Sequence, residues 1–343
     1  MGIMSSAHFS GEKPLLIGTV PVSTRAFLAP LSGVTDLAMR RIAMRCGAGL
    51  VVSEMVASEE FVQGHEEMRL RAEGEGVFPH VVQLAACEPH WLGEAARLAE
   101  ASGANIIDIN MGCPAKRVTG GWAGSALMRD LDHAVSLVEA AVAAVNVPVT
   151  VKMRLGWDEA TLNAPELARR AVEAGAAMIT VHGRTRQQFY KGSANWAAIR
   201  AVRDVGTFPL VANGDVSTLE QARACLDSSR ADAAMIGRAA VGRPWLVGQI
   251  AAGLDGAIGV EPSLAEKLAM ACEHFDGLVS LMGRETGVRH ARKHLAAYAD
   301  EAIRSGCAAD PDSRLAMLTT DDPAKVIAGL RQLFNTDRLR AAA

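Results

Sequence analysis

Cys113 closes the stretch Ile106-Ile107-Asp108-Ile109-Asn110-Met111-Gly112-Cys113-Pro114. The β-branched apolar run reads as a buried strand that Gly112 and Pro114 break, so the thiol stands on the loop just past the strand's end. Such a thiol is a candidate reaction centre, although most free cysteines are only small half-buried residues. Other short apolar segments also end in polar groups: Ser53-Glu54, Gln83, Lys152 with Arg154, His182 with Arg184, Asn213-Gly214-Asp215 and Gly237-Arg238. Singly, each reads as a solvated loop residue. Convergence of all of them on one mouth would make an active site.

Two of these loops have the composition of a phosphate cradle. Asn213-Gly214-Asp215 and Ile236-Gly237-Arg238 supply glycines for close backbone approach and one cation. Lys152 and His182 add donors suited to a phosphate or to the anionic N1/O2 edge of a reduced flavin. No G-x-G-x-x-G opens a first strand–helix unit, so a nicotinamide is expected only as a visitor.

The elements that must position these groups repeat along the chain. Apolar segments at residues 24–29, 50–52, 81–84, 106–109, 147–152, 177–181, 210–212 and 234–236 start about 25 to 45 residues apart, the length of a βα unit. They are continuous rather than alternating runs, as in a parallel sheet covered on both faces. Eight such units predict an α/β chain folded as a (β/α)8 TIM barrel, with strand ends facing one pocket. Thr35 precedes a helix ending at Cys46-Gly47, Ser217-Thr218-Leu219-Glu220 reads as a capping box, and Gly103 and Gly175 occupy helix C′ positions. After Arg243-Pro244 the repeat stops. Helical spacing continues through Leu264, Leu268, Cys272 and Phe275, and Asp322-Pro323 caps a last helix. The expected division is a barrel over residues 14–250 and a small helical domain over 260–338, with frayed ends.

Composition excludes several classes. A net charge of -3 with 21% charged residues argues against a bulk nucleic-acid binder, though not against a local basic patch. The six cysteines, at 46, 87, 113, 225, 272 and 307, form no C-x-x-C pair, which fits a reducing compartment and no disulfide framework. There is no secretory leader and no run of about eighteen apolar residues, so a soluble, cytoplasmic protein without membrane contact is expected. The first six residues match the loose myristoylation pattern, which six residues do often by chance. A monomer is favoured, with the oligomeric state open.

The blocks Ala29-Pro30-Leu31-Ser32-Gly33-Val34-Thr35-Asp36, Asp108 to Pro114, Val151-Lys152-Met153-Arg154, Val181-His182-Gly183-Arg184-Thr185-Arg186, Asn213-Gly214-Asp215 and Gly237-Arg238-Ala239 occur in the order and spacing of the tRNA-dihydrouridine synthases. The chain resembles that family from about Pro14 to the Phe334 region and is most similar to its bacterial B type. The resemblance implies FMN across the barrel mouth, with NADPH or NADH as reductant. Ala29, Pro30 and Leu31 would lie along the flavin ring, Gln83 and Lys152 would bond its polar edge, and His182 would lie toward the ribityl and phosphate end. Asn213, Gly214, Asp215, Gly237 and Arg238 would grip the phosphate, while Asn110 and Cys113 would face the target uracil. The chain departs from the family at Leu31, where methionine is frequent, and at Ala296-Ala297, where relatives often carry tryptophan.

The implied reaction sends a hydride from flavin N5 to uracil C6 and a proton from Cys113 to C5. An ordinary thiol is mostly protonated near neutral pH and can act as that acid. The uracil must first be turned out of the folded RNA, at a cost of a few kcal/mol, so the surrounding backbone needs a grip. Arg289, Arg292 and Lys293, with His290 and His294, concentrate positive charge on one helix, and Arg184 and Arg186 could extend that surface; a solvated helix face is the competing reading. Trp122 and Trp157 could stack on RNA or anchor loops. His290 and His294 have the i, i+4 spacing of metal ligands, but no glutamate follows the first and no third ligand is evident, so no metal is expected. A flavin barrel acting on a free pyrimidine, in the manner of dihydroorotate dehydrogenases, an RNA-binding protein with a vestigial pocket, and a phosphosugar isomerase are the alternatives.

Overall fold

The computed structural model describes residues 14–120, 122–307 and 310–334, apart from the Arg117 side chain. The myristoylation pattern and both expected frayed ends lie outside the described residues. A short antiparallel hairpin, β1 (Leu15–Ile17) and β2 (Val20–Val22), comes first, and the sequence pattern did not predict it. Eight parallel strands then close into a barrel: β3 (Ala26–Leu28), β4 (Leu50–Ala57), β5 (Val81–Ala85), β6 (Ile106–Met111), β7 (Val149–Arg154), β8 (Met178–His182), β9 (Leu210–Asn213) and β10 (Ala233–Ile236), with β10 pairing back onto β3. The eight expected units are therefore all present, in chain order around a (β/α)8 barrel.

The strand period of two residues decides what faces the barrel axis. Phe27, Leu50, Val52, Val81, Ile106, Met178, Val211 and Met235 share one inner core, while Leu28, Val51, Val82, Ile107, Ile179 and Ala212, on the alternate positions, pack outward against the helices. Continuing the inner parity toward the strand ends reaches Gln83 on β5, Asp108 and Asn110 on β6, Thr150 and Lys152 on β7, Thr180 and His182 on β8, and Asn213 on β9. The barrel axis thus turns from apolar to polar along its own strands. At the opposite end Ile17 and Val22 of the hairpin join the inner core and close it.

Two local expectations are corrected. β4 runs on to Ala57, with a register shift between Val52 and Met55, so Ser53 and Glu54 lie buried inside an irregular strand and not at its mouth. Ser53 Oγ accepts the Gln83 N–H at 2.9 Å and Glu54 accepts the Gly33 N–H. The helix Leu219–Ser229 is capped by Thr218, whose side chain accepts the Gln221 N–H, one residue later than the expected cap at Ser217. Gly103 and Gly175 have φ of 94° and 106°, the left-handed C′ conformation that glycine adopts without strain.

Beyond the helix Leu246–Leu254 no strand occurs among the described residues. Four helices follow, Leu264–Met282, Arg284–Arg304, Pro311–Thr319 and Pro323–Leu333. They bury Phe275, Leu278, Val288, Leu295, Tyr298, Val326 and Leu330 in a core of their own, which Ile42 and Trp245 of the barrel's helical layer enter. Asp322 caps the last helix by accepting the Ala324 N–H, with Pro323 at its first position.

Candidate active site

The polar ends of the strands line a cavity of about 1100 Å³ at the barrel mouth. One hydrogen-bonded line runs across its floor. Thr150 Oγ1 donates to Asp108 at 2.6 Å, Gln83 Nε2 donates to the same carboxylate at 2.7 Å, and Asn110 Nδ2 donates to Gln83 Oε1 at 2.7 Å. Asn110 Oδ1 then accepts the backbone N–H groups of Gly112 at 3.1 Å and Cys113 at 2.9 Å. Burial pushes the Asp108 carboxyl up to about 6, against the pull of its two donors.

The Cys113 loop is held from three further sides. Ser125 donates to the Cys113 carbonyl through its hydroxyl at 2.9 Å and its N–H at 3.0 Å, and Arg154 Nε donates to the Gly112 carbonyl at 2.8 Å. Gly124, at φ 59°, passes so close that a Cβ there would lie 2.9 Å from the Cys113 carbonyl oxygen. The Cys113 side chain is half-buried, lines the cavity and has no hydrogen bond to a described residue.

Cations crowd the opposite wall. Lys152 Nζ donates to Asn213 Oδ1 at 3.1 Å, and Asn213 Nδ2 donates to the Met235 carbonyl at 2.8 Å. Burial, with Arg154 nearby, brings the Lys152 amine down to about 8. Burial and the charges of Lys152, Arg154 and Arg184 hold His182 well below its usual range, so its imidazole is neutral at pH 7. Asp215 binds Arg184 through both oxygens, at 3.0 and 2.6 Å, accepts the Ala194 N–H at 2.8 Å, and reaches Arg238 at 3.2 Å. Partial burial alone would raise the Asp215 carboxyl; the Arg184 hydrogen bond and the Ala194 N–H hold it below the ordinary value. Gly214 has φ 123°, and a Cβ there would meet His182 Cδ2 at 2.8 Å and Ala194 Cβ at 2.7 Å, so the turn requires glycine.

Ala29, Pro30, Leu31, Gln83, Asn110, Cys113, Lys152, His182, Asn213, Gly214, Asp215, Gly237 and Arg238 all line this one cavity. The expected RNA contacts do not. Arg184 is 1% exposed and committed to Asp215 and the Gly192 carbonyl, so it braces the loop and cannot reach an RNA. His294 is also 1% exposed, and it faces Asp36. Arg292 pairs with Asp321 at 2.7 Å, and Arg186 stacks over Trp157, its guanidinium 4.8 Å from the ring centre. Arg289 and Lys293 remain on the surface; Lys293 donates to the Gly33 carbonyl. Sequence reasoning missed Ser125, which bonds back to Cys113 from farther along the same loop, Thr150, whose partner Asp108 lies on the neighbouring strand, and Tyr190, whose ring lies 5.0 Å from the Arg238 guanidinium at the cavity wall.

The model of the dihydrouridine synthase family matches residues 27–312, which include every residue lining the cavity and all of the barrel strands but the first residue of β3. The chain belongs to the dihydrouridine synthase family. It is 51% identical over 318 residues to a probable tRNA-dihydrouridine synthase of Rhizobium leguminosarum bv. phaseoli, covering 93% of this chain and 98% of that one. It is 50% identical to a Rhodobacter capsulatus protein of the same description, covering 90% and 94%. With tRNA-dihydrouridine synthase B of Xanthomonas axonopodis pv. citri it shares 45% identity over 92% of this chain and 97% of the relative. Among solved structures, morphinone reductase superimposes with a TM-score of 0.51 at 17% identity, covering 74% of this chain and 93% of that one. Histamine dehydrogenase from Rhizobium sp. 4-9 does so with 0.52 at 15%, covering 75% of this chain and half of the longer one. These two likenesses show the barrel fold of this dihydrouridine synthase family member.

Proposed function

We propose that the chain reduces particular uridines of tRNA to 5,6-dihydrouridine, using FMN held in the barrel mouth and NADPH or NADH as the source of electrons. The observation that carries this reading is the cavity itself, where a thiol on a loop fixed by Asn110 stands with Lys152, His182 and Arg238. The residues fit a flavin: Gly214, which admits no side chain, and the exposed Arg238 suit its phosphate, and Lys152 has two N–H groups beyond the one given to Asn213 for its polar edge. Asp215 would serve that grip indirectly, by aligning Arg238 and the 213–215 turn.

When bound, the reduced flavin supplies a hydride to C6 of the uracil. Cys113 then gives its Sγ proton to C5, so that one C=C bond becomes two C–H bonds, and the thiolate recovers its proton from solvent. Asn110 sets where the thiol stands, and its second Nδ2 hydrogen is free to meet the base. Lys152 would hold the cofactor's polar edge, and neutral His182 would lie toward its ribityl and phosphate end. The barrel over 14–250 would carry the chemistry, and the C-terminal domain over 260–338 would dock the RNA through Arg289 and Lys293. No helix among the described residues is long and apolar enough to cross a membrane. Acting on tRNA, the enzyme would work in the cytoplasm. The test is to map dihydrouridine in tRNA from a strain lacking the gene: particular positions should revert to uridine and be restored by the gene. An unchanged dihydrouridine map overturns the reading.

A further inference from the structure

We propose that Asp36, His290 and His294, with His274 beside them, form a site for one divalent transition-metal ion of zinc type, which pins the C-terminal helices to the barrel. The sequence offered only the His290/His294 pair. Folding supplies the third ligand from the far end of the chain, because Asp36 caps the helix Leu37–Arg45 directly beneath the helix Arg284–Arg304. One ligand atom from each of Asp36, His290 and His294 lies within 4.8 Å of the others. Asp36 Oδ2 stands 3.4 Å from His294 Nε2, and ligand bonds of about 2.0–2.1 Å place the corners of a tetrahedral zinc site about 3.4 Å apart.

The second observation concerns hydrogen bonding. His294 is 1% exposed, yet neither of its ring nitrogens has a hydrogen-bond partner, and His290 Nε2 is likewise enclosed and unpartnered. Buried polar atoms left in this state are costly, and a cation shared by His294 Nε2 and Asp36 Oδ2, which stand 3.4 Å apart without a hydrogen bond, would satisfy both. The neighbouring His274 lies outside the three-ligand group and orients its carboxylate. Its Nδ1 is bonded to Tyr298 Oη at 3.0 Å, fixing the ring, and its Nε2 points at Asp36 Oδ2, also at 3.0 Å. Hydrogen bonds to Tyr298 and Asp36 satisfy both nitrogens of His274 without a metal. They leave both nitrogens of His294 unexplained. His290 is only half-buried and gives an ion its way in, while the nearby ammonium of Lys293 is turned to the Gly33 carbonyl.

The test equilibrates full-length protein, stripped with EDTA, with Co²⁺ and with Zn²⁺, and measures bound metal per chain together with the Co²⁺ absorption spectrum. His290→Gln is the decisive variant, since the half-buried His290 can change without emptying the core; His294→Gln supports it. We expect one ion per chain, a tetrahedral Co²⁺ spectrum without a thiolate charge-transfer band, a higher melting temperature with Zn²⁺, and loss of all three in His290→Gln. Retention of no ion by the wild type overturns the proposal, as does equal metal retention by folded His290→Gln, or a thiolate band, which would place the ion at a cysteine.

Discussion

Asn110 Oδ1 accepts the Cys113 backbone N–H at 2.9 Å, and the direction of that bond is set two side chains away. An ionised Asp108 offers only acceptors, so Gln83 turns its amide N–H toward it, which leaves Gln83 Oε1 for Asn110 Nδ2 and Asn110 Oδ1 for the loop. A buried carboxylate thereby orients a thiol that it never touches.

That carboxylate has a cost that pH reveals. The native Asp108 pKa of about 6 is raised above the ordinary 3.8, so between those values the folded state holds a proton that the unfolded state has released. Its contribution is present below pH 4 and lost as pH rises to 6, a change of about 3 kcal/mol. Urea melts from pH 4 to 7 should therefore show Asp108→Asn gaining on the wild type over that window, and a constant difference would contradict the assignment.

Lys152 gives a second falling profile, at higher pH and in binding. Burial first, and Arg154 second, hold its amine near 8, and an anionic ligand favours the charged form. FMN affinity, followed by quenching of flavin fluorescence, should fall by up to about tenfold per pH unit above 8. Lys152→Met should bind weakly at every pH and lose that slope.

Asp215 and Arg184 form the site's most enclosed ion pair, at 2.6 Å with the arginine side chain 2% exposed. Asp215→Ala strands a buried guanidinium and should cost about 3 kcal/mol in urea unfolding, together with loss of FMN. Adding Arg184→Met should recover much of the stability without recovering FMN, because Arg238 still lacks its partner.

The hairpin β1–β2 is predicted to act as a structural plug. Ile17 is fully buried against the inner core, so Ile17→Ala should lower stability by about 3 kcal/mol while leaving the FMN affinity of the remaining folded protein unchanged.

The barrel could be read from the sequence because its βα units carry local signals: an apolar run, a helix start such as Ser217-Thr218, placed one residue early, and a C′ glycine such as Gly175. The cavity could be read because inner-facing positions recur every second residue, so Gln83, Asn110, Lys152, His182 and Asn213 follow their strands to the mouth. Features that depend on a tertiary partner could not. Arg184 and His294 look like solvated cations until Asp215 and Asp36 are placed beside them, and Ser53-Glu54 looks like a strand end until the register shift in β4 buries it. The three-residue strands of the hairpin are too short for any periodicity to show.

The central claim is that Cys113 is the proton donor in a flavin-bearing cavity, and the single-turnover reaction of Cys113→Ala tests it most directly. The variant should carry FMN, be reduced by NADPH or NADH at the wild-type rate, and then transfer its electrons to tRNA at least about a hundredfold more slowly, the scale of a lost general acid. Dihydrouridine formation by Cys113→Ala at close to the wild-type rate would contradict the account.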